Sequence, residues 1–167
     1  MKKLLTLAVW IAFLTSCFDA PPPPPFISGR EGEKLQPWSF LKTDSTYGTI
    51  DTASGNPAIV FYVTYTCPYC KAELEALLKK TDSLGKTHVY IVTNAKFDEI
   101  RQYEQEFKLD KYPQNFSYGI DTGYAVLKYF GIRGVPFIAV YNRYHVLKQA
   151  FNGITETKKL MEVAAEN

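Results

Sequence analysis

The chain has 167 residues, 46% of them hydrophobic and 22% charged, with a formal net charge of +2. That composition excludes a disordered polymer, and the length suffices for one domain with its own core plus a short additional segment. The near-balance of charge offers no strongly basic surface of the kind that nucleic-acid binding requires.

The first predicted element is a targeting segment. Lys2 and Lys3 precede an apolar stretch over residues 4–14, which has the length of a signal-peptide core and is short for a bilayer span. It ends in Leu14-Thr15-Ser16-Cys17, which resembles the lipobox of bacterial lipoproteins. The resemblance implies cleavage before Cys17 and lipidation of that cysteine, so residues 1–16 are read as a lipoprotein signal peptide. An ordinary secretory signal, or an uncleaved anchor with Cys17 incidental, is the competing reading. Loss of Lys2 and Lys3 with the segment would leave basic and acidic residues in balance. Five consecutive prolines follow at 21–25. They favour polyproline II, a semi-rigid spacer. Residues 17–31 are therefore read as lipidated cysteine and linker, and residues 32–167 as the domain. This places the domain in the cell envelope, extracytoplasmic and lipid-anchored to a membrane.

Within the domain, residues 37–43 and 47–50 form two short candidate strands, read as a hairpin. Residues 57–65, PAIVFYVTY, are a nearly unbroken apolar and β-branched run, the signature of a strand buried on both faces. Residues 70–84 place Cys70, Leu74, Leu77 and Leu78 at helical spacing. A second buried strand is expected at 88–93, a largely polar helix at 97–108, a short strand at 115–120 and a short helix at 124–131 with Gly131 as its C-cap. Residues 136–142 and 145–151 read as strands flanking a turn at Arg143-Tyr144. Residues 155–167 read as a final helix with Thr155 as N-cap. The alternation predicts an α/β three-layer sandwich with a mixed sheet.

The chemistry centres on Cys67-Pro68-Tyr69-Cys70. A C-x-x-C bridge closes almost no loop, so its chain-entropy benefit is small, which argues against a structural staple. Cys67 falls where the buried strand ends and a helix begins. The free N–H groups and positive dipole end of the first turn favour a thiolate there, and hence a nucleophile. Pro68 suits a first-turn position. Cys70, one turn on, is placed to resolve a mixed disulfide formed by Cys67. Lys71 either adds positive potential or points to solvent. The second element is Val135-Pro136, at the start of a strand. A cis proline there would shape a substrate groove, and Val135 would offer backbone groups to an extended client chain. A trans proline opening an edge strand is the other reading.

On these residues the domain resembles the thioredoxin superfamily, and most closely its membrane-tethered TlpA-like thiol–disulfide oxidoreductases. CPYCKAEL resembles that family's C-x-x-C-[RK]-x-E segment, and YFGIRGVPFIAVYNRYHVLKQAFNG its valine–cis-proline segment, terminal hairpin and glycine. The resemblance runs from about Gly32 to the C-terminus. It implies a thioredoxin-like three-layer sandwich with a mixed central sheet, an N-terminal hairpin extension and an extra strand–helix insertion. It implies Cys67 and Cys70 as the catalytic redox disulfide, with Thr66, Pro68, Tyr69, Val135 and Pro136 bordering the substrate groove. Glu73 falls on the family's glutamate, which makes it a candidate proton carrier; a solvated glutamate on the helix surface is the alternative. Three positions depart from the pattern: Thr66 replaces the usual tryptophan, Glu75 a helix proline, and Phe61 the buried acid of cytosolic thioredoxins. The implied function is extracytoplasmic thiol–disulfide exchange, reductive by family analogy. No cofactor or metal is expected. The expected partners are protein thiol or disulfide clients, such as apocytochromes, and a membrane electron donor or acceptor.

Four other readings compete with this one. A thioredoxin-fold metallochaperone for copper or zinc would need ligands beyond two thiolates. Only His88, opening a buried strand, and His145, read as a surface residue of a hairpin turn, are available. A peroxiredoxin match rests on Thr64 alone, since Val60 replaces its upstream proline. A glutaredoxin shares Pro68-Tyr69 but not its glycine pair. A redox-inert binding module remains the non-enzymatic alternative.

Overall fold

The computed structural model describes residues 26–167. The signal segment, Cys17 and the proline run lie outside the described residues. Seven strands form one sheet in the order β2-β1-β5-β4-β3-β6-β7. They are β1 Ser39–Leu41, β2 Tyr47–Thr49, β3 Ala58–Val63, β4 His88–Thr93, β5 Phe116–Ile120, β6 Phe137–Tyr141 and β7 Leu147–Asn152. β3, β4 and β5 are mutually parallel, while β6 runs antiparallel to β3 and β7 antiparallel to β6. The predicted hairpin forms as β1 and β2 and joins the sheet through β5.

β3 explains the layering. All six of its residues are buried. Because side chains alternate across a strand, Ile59, Phe61 and Val63 face one core, and Ala58, Val60 and Tyr62 the other. The first core is covered by α1 (Pro68–Leu78), α3 (Phe97–Phe107) and α5 (Thr157–Ala164), through Leu74, Leu77, Ile100, Tyr103, Leu160 and Val163. α4 (Ala125–Phe130) covers the second through Val126 and Phe130. This is the expected three-layer α/β sandwich.

Several boundaries differ from the sequence reading. The helix expected over 70–84 is two helices, α1 and a single turn, α2 (Thr81–Leu84), because Lys80 leaves helical geometry. Thr155 does not cap α5. The N-cap is Glu156, and the Thr155 N–H is engaged by Glu73. His145 is not a surface turn residue. It is buried, with its ring nitrogens 2.9 Å from both the Thr52 and Asn56 carbonyl oxygens, so it ties the hairpin turn to the loop that leads into β3. Gly131 caps α4 in the left-handed conformation, as expected. On the hairpin side, a Cβ on Gly119 would lie 2.6 Å from the Phe40 ring and 2.7 Å from the Leu41 carbonyl oxygen, so only glycine lets β1 lie this close to β5.

Arg30 and Phe26, assigned to the linker, also meet the domain, and Glu33 and Leu35 continue the contact. Arg30 stacks 4.6 Å from the Tyr129 ring centroid, and Phe26 packs edge-on against Phe137 at 6.1 Å. Glu33 accepts a hydrogen bond from the Tyr129 hydroxyl at 2.5 Å. Leu35 N–H donates to the His145 carbonyl at 2.8 Å. No helix among the described residues is long and apolar enough to cross a membrane.

Buried Asp121, at the end of β5, accepts from the N–H groups of Ala125, Val126 and Leu127 at 2.7, 3.0 and 3.2 Å. It thereby satisfies three otherwise unpaired donors at the start of α4. Asp121→Ala is expected to cost about 2 kcal/mol, the upper range for losing a cap. That corresponds to a fall in Tm of about 4–8 °C, readable by thermal circular dichroism.

Candidate functional site

The site lies at the end of the sheet where β3, β4 and β5 finish. β3 ends at Val63, and a turn closed by the Cys67 N–H on the Thr64 carbonyl at 3.2 Å leads into α1. Cys67 is the N-cap of α1, with extended backbone (φ −81°, ψ 110°), and Pro68 occupies the first helical position. The Cys70 N–H donates to Cys67 Sγ at 3.1 Å. An N-cap side chain ordinarily accepts such a bond through oxygen; here sulfur accepts it. Cys67 and Cys70 are joined in a disulfide, with Cα atoms 5.3 Å apart. Cys70 is fully buried and Cys67 is 9% exposed, so the outer sulfur is the one an incoming group meets.

β6 runs antiparallel to β3, which carries its first residues to the same end. The Val135–Pro136 peptide is cis, and the Val135 carbonyl oxygen lies 3.8 Å from Cys67 Sγ. The fold thus brings together two motifs 68 residues apart. Thr66, Pro68 and Tyr69 are exposed around the disulfide, Val135 is half-buried and Pro136 buried. Behind them, Gly153 N–H donates to the Pro136 carbonyl at 2.8 Å, fixing the loop after β7 against the proline.

Glu73 is not a solvated surface residue. It is fully buried on the inner face of α1, with Cys70, Leu74 and Leu77. Its Oε2 accepts from Thr155 N–H at 2.9 Å, and its Oε1 has no partner among the described residues. Burial pushes its carboxyl above the ordinary carboxylate value, the Thr155 bond offsetting this only in part. The helical spacing already carried this signal, since Cys70, Glu73, Leu74 and Leu77 lie on one stripe. Thr155 as its partner had none, being 82 residues away.

Phe61 sits fully buried in the same core as Cys70, so this strand position offers the inner thiol hydrocarbon and no ionisable group. Lys71 does not stand free. Its Nζ pairs with Glu106 at 2.7 Å and lies 4.6 Å from the Tyr65 ring centroid. His88 and His145 are far from the dithiol by topology. His88 pairs with Ala58, at the start of β3, and His145 holds the loop preceding it. His88 faces the Gln114 carbonyl at 3.1 Å and the Ser117 hydroxyl at 2.9 Å, and burial holds its imidazole below the usual value. Among the described residues no cluster of three or more His, Cys, Asp or Glu side chains is arranged to hold a metal.

This architecture and its cis-proline opposite an N-terminal C-x-x-C define a thioredoxin fold. Solved structures with that fold superpose on most of the chain. StoA from Bacillus subtilis is 20% identical with a TM-score of 0.56, covering 77% of this chain and 97% of that one. A secreted Mycobacterium tuberculosis disulfide oxidoreductase homologous to E. coli DsbE is 17% identical with a TM-score of 0.61, covering 77% and 95%. The exposed lipoprotein thioredoxin Etrx1 of Streptococcus pneumoniae is 15% identical with a TM-score of 0.62, covering 77% and 98%. No protein-family model matches the chain, and no curated protein matches it by sequence.

The Glu73 carboxyl gives a stability test. Its folded-state pKa is raised, so the native chain holds this proton to higher pH than the unfolded chain does. The associated stability is complete below the ordinary carboxylate value and is lost as pH rises through the folded value. Glu73→Gln cannot ionise. In urea titrations of the oxidised protein, the variant is expected to gain on wild type between pH 4.5 and pH 8. A difference that stays constant across that range would show that folding leaves the Glu73 carboxyl at its ordinary value.

Proposed function

We propose that the protein is an extracytoplasmic, lipid-anchored thiol–disulfide oxidoreductase that exchanges electrons with protein disulfides through Cys67 and Cys70. The observation that carries this reading is the outer sulfur of an N-capping C-x-x-C lying 3.8 Å from the carbonyl preceding a cis-proline. That arrangement offers an incoming disulfide a nucleophile and, beside it, a backbone acceptor for an extended chain.

In the reducing direction, the Cys67 thiolate attacks one sulfur of the client disulfide. A mixed disulfide forms, and the other client sulfur leaves as a thiolate that takes a proton. Cys70 then loses its proton and attacks Cys67 Sγ. The Cys67–Cys70 bond forms, the mixed disulfide breaks, and two electrons have passed to the client. The helix N-terminus and the Cys70 N–H favour negative charge on Cys67 throughout. Glu73 is the proposed acceptor for the Cys70 proton. It is a buried carboxyl one helical turn from Cys70, and the strand offers only Phe61 instead. Thr66, Pro68, Tyr69, Val135 and Pro136 form the groove.

The reductive direction rests on the TlpA-like resemblance, as do the membrane electron donor and clients such as apocytochromes. So does the anchor at Cys17. The named Streptococcus pneumoniae lipoprotein thioredoxin and the secreted Mycobacterium tuberculosis oxidoreductase share the fold and support the envelope location.

The test uses a fragment beginning after Cys17. Cys67→Ser is expected to abolish insulin reduction, and Cys70→Ser to accumulate a mixed disulfide with client protein that dithiothreitol releases. Equilibration with redox buffers assigns the direction. A potential near about −270 mV marks a reductant, and one near about −120 mV an oxidant. Absence of a reversible two-electron couple would remove the reading.

A further inference from the structure

At the end of the sheet opposite the dithiol, one large hydrophobic side chain is exposed among the described residues: Tyr144, in the β6–β7 turn. The dithiol end exposes six. Tyr69 lies between the cysteines, and Tyr124 follows β5, whose last residue pairs with the last of β4. Tyr47 pairs with Leu41, which in turn pairs with Ile120 at that same end. Ile154 follows Gly153, which is bonded to Pro136. Phe26 packs on Phe137, next to Pro136, and Ile27 adjoins it. The distribution is therefore one-sided, and the dithiol sits within it.

The first described residue, Phe26, lies at this end as well. Lys34 bridges to Val146 at the far end of the sheet. From there toward its N-terminus the segment passes Arg30 on Tyr129 and reaches Phe26 on Phe137. Phe26 thus lies against the residue that follows Pro136, on the opposite face of the sheet from the disulfide. Between Phe26 and Cys17 lie only residues 18–25. Even fully extended, that length spans about 30 Å, no more than the diameter of a small domain.

We propose that the dithiol end carries a lipid-facing rim, in which Phe26, Tyr47, Tyr124 and Ile154 rest on the bilayer that holds the Cys17 anchor, beside the groove that Tyr69 borders. The inference builds on the lipid-anchor reading above. Tyrosine suits the role because its ring enters the interfacial layer while its hydroxyl stays wet. A short tether leaving from the same end holds the rim at the surface by effective concentration, so individually weak contacts suffice. The groove then opens along the membrane plane, and its favoured redox partners are dithiols or disulfides at the bilayer surface.

The experiment uses the lipidated full chain in vesicles of phosphatidylethanolamine and phosphatidylglycerol carrying a lipid spin-labelled near its headgroup. Tyr124→Trp reports the dithiol end and Tyr144→Trp the far end, each with the parent chain's tryptophan signal subtracted. Severalfold stronger quenching at position 124 than at 144 is expected. A chain recovered with the vesicles but quenched equally at both positions, or at neither, overturns the rim. If the rim stays unquenched while Cys70→Ser still traps client proteins, the aromatic side chains belong to client binding and the proposal falls. A chain not recovered with the vesicles overturns the anchor and the rim together. Insulin reduction by the same preparations tests the oxidoreductase reading separately.

Discussion

Strand β3 is hydrogen-bonded to a parallel neighbour on one side and an antiparallel neighbour on the other, and both of its faces are covered. A strand so enclosed has one register that keeps every apolar side chain buried, because a slip of one residue exchanges the two faces. Its last residue therefore has a fixed position, and Cys67 inherits it through a turn of three residues. The antiparallel pairing with β6 fixes Phe137 opposite Tyr62, and Val135 and Pro136 directly precede it. The sulfur and the carbonyl meet because two strand registers are over-determined. Neither loop has to be rigid by itself.

Below the disulfide, the proposed path for the Cys70 proton runs through the helix and not through the strand. On the strand, Phe61 shares the core of the inner thiol and can neither take nor give a proton. The carboxyl is instead on α1, where Glu73 also holds the loop that braces Pro136. One side chain thus joins the helix bearing the cysteines to the loop behind the groove. Its burial without a cationic partner among its hydrogen-bond contacts is unfavourable for the ionised form, which is the condition for a group that exchanges a proton inside a core.

Much of this was legible in the residues. The β3 run, the C-x-x-C at its end, the Val135-Pro136 pair and the terminal hairpin are local patterns, and each marks its own place in the sheet. The less legible features depend on tertiary neighbours. His145 reads as a turn residue because its neighbours are turn-forming. Its ring is buried only because residues 52 and 56 present carbonyl groups to it. Thr155 has the chemistry of an N-cap, and its N–H is claimed by a carboxylate from a distant helix. Asp121 looks like an ordinary loop aspartate until α4 is placed above it. Periodicity reports which face of an element is buried, and it says nothing about the partner that face meets.

The site is assembled from residues far apart along the chain, and chains are made in order. Cys67 and Cys70 precede Val135 by 68 and 65 residues, and Glu73 precedes Thr155 by 82. At about 5–20 residues per second, Thr155 follows Glu73 by roughly 4–16 s during synthesis. In that interval the thiols exist without a groove, a brace or a completed sheet. Because the two cysteines lie one helical turn apart, each already has its native partner at hand. A redox centre that pairs locally and is enclosed later does not depend on folding to choose its bond. Folding supplies what surrounds it.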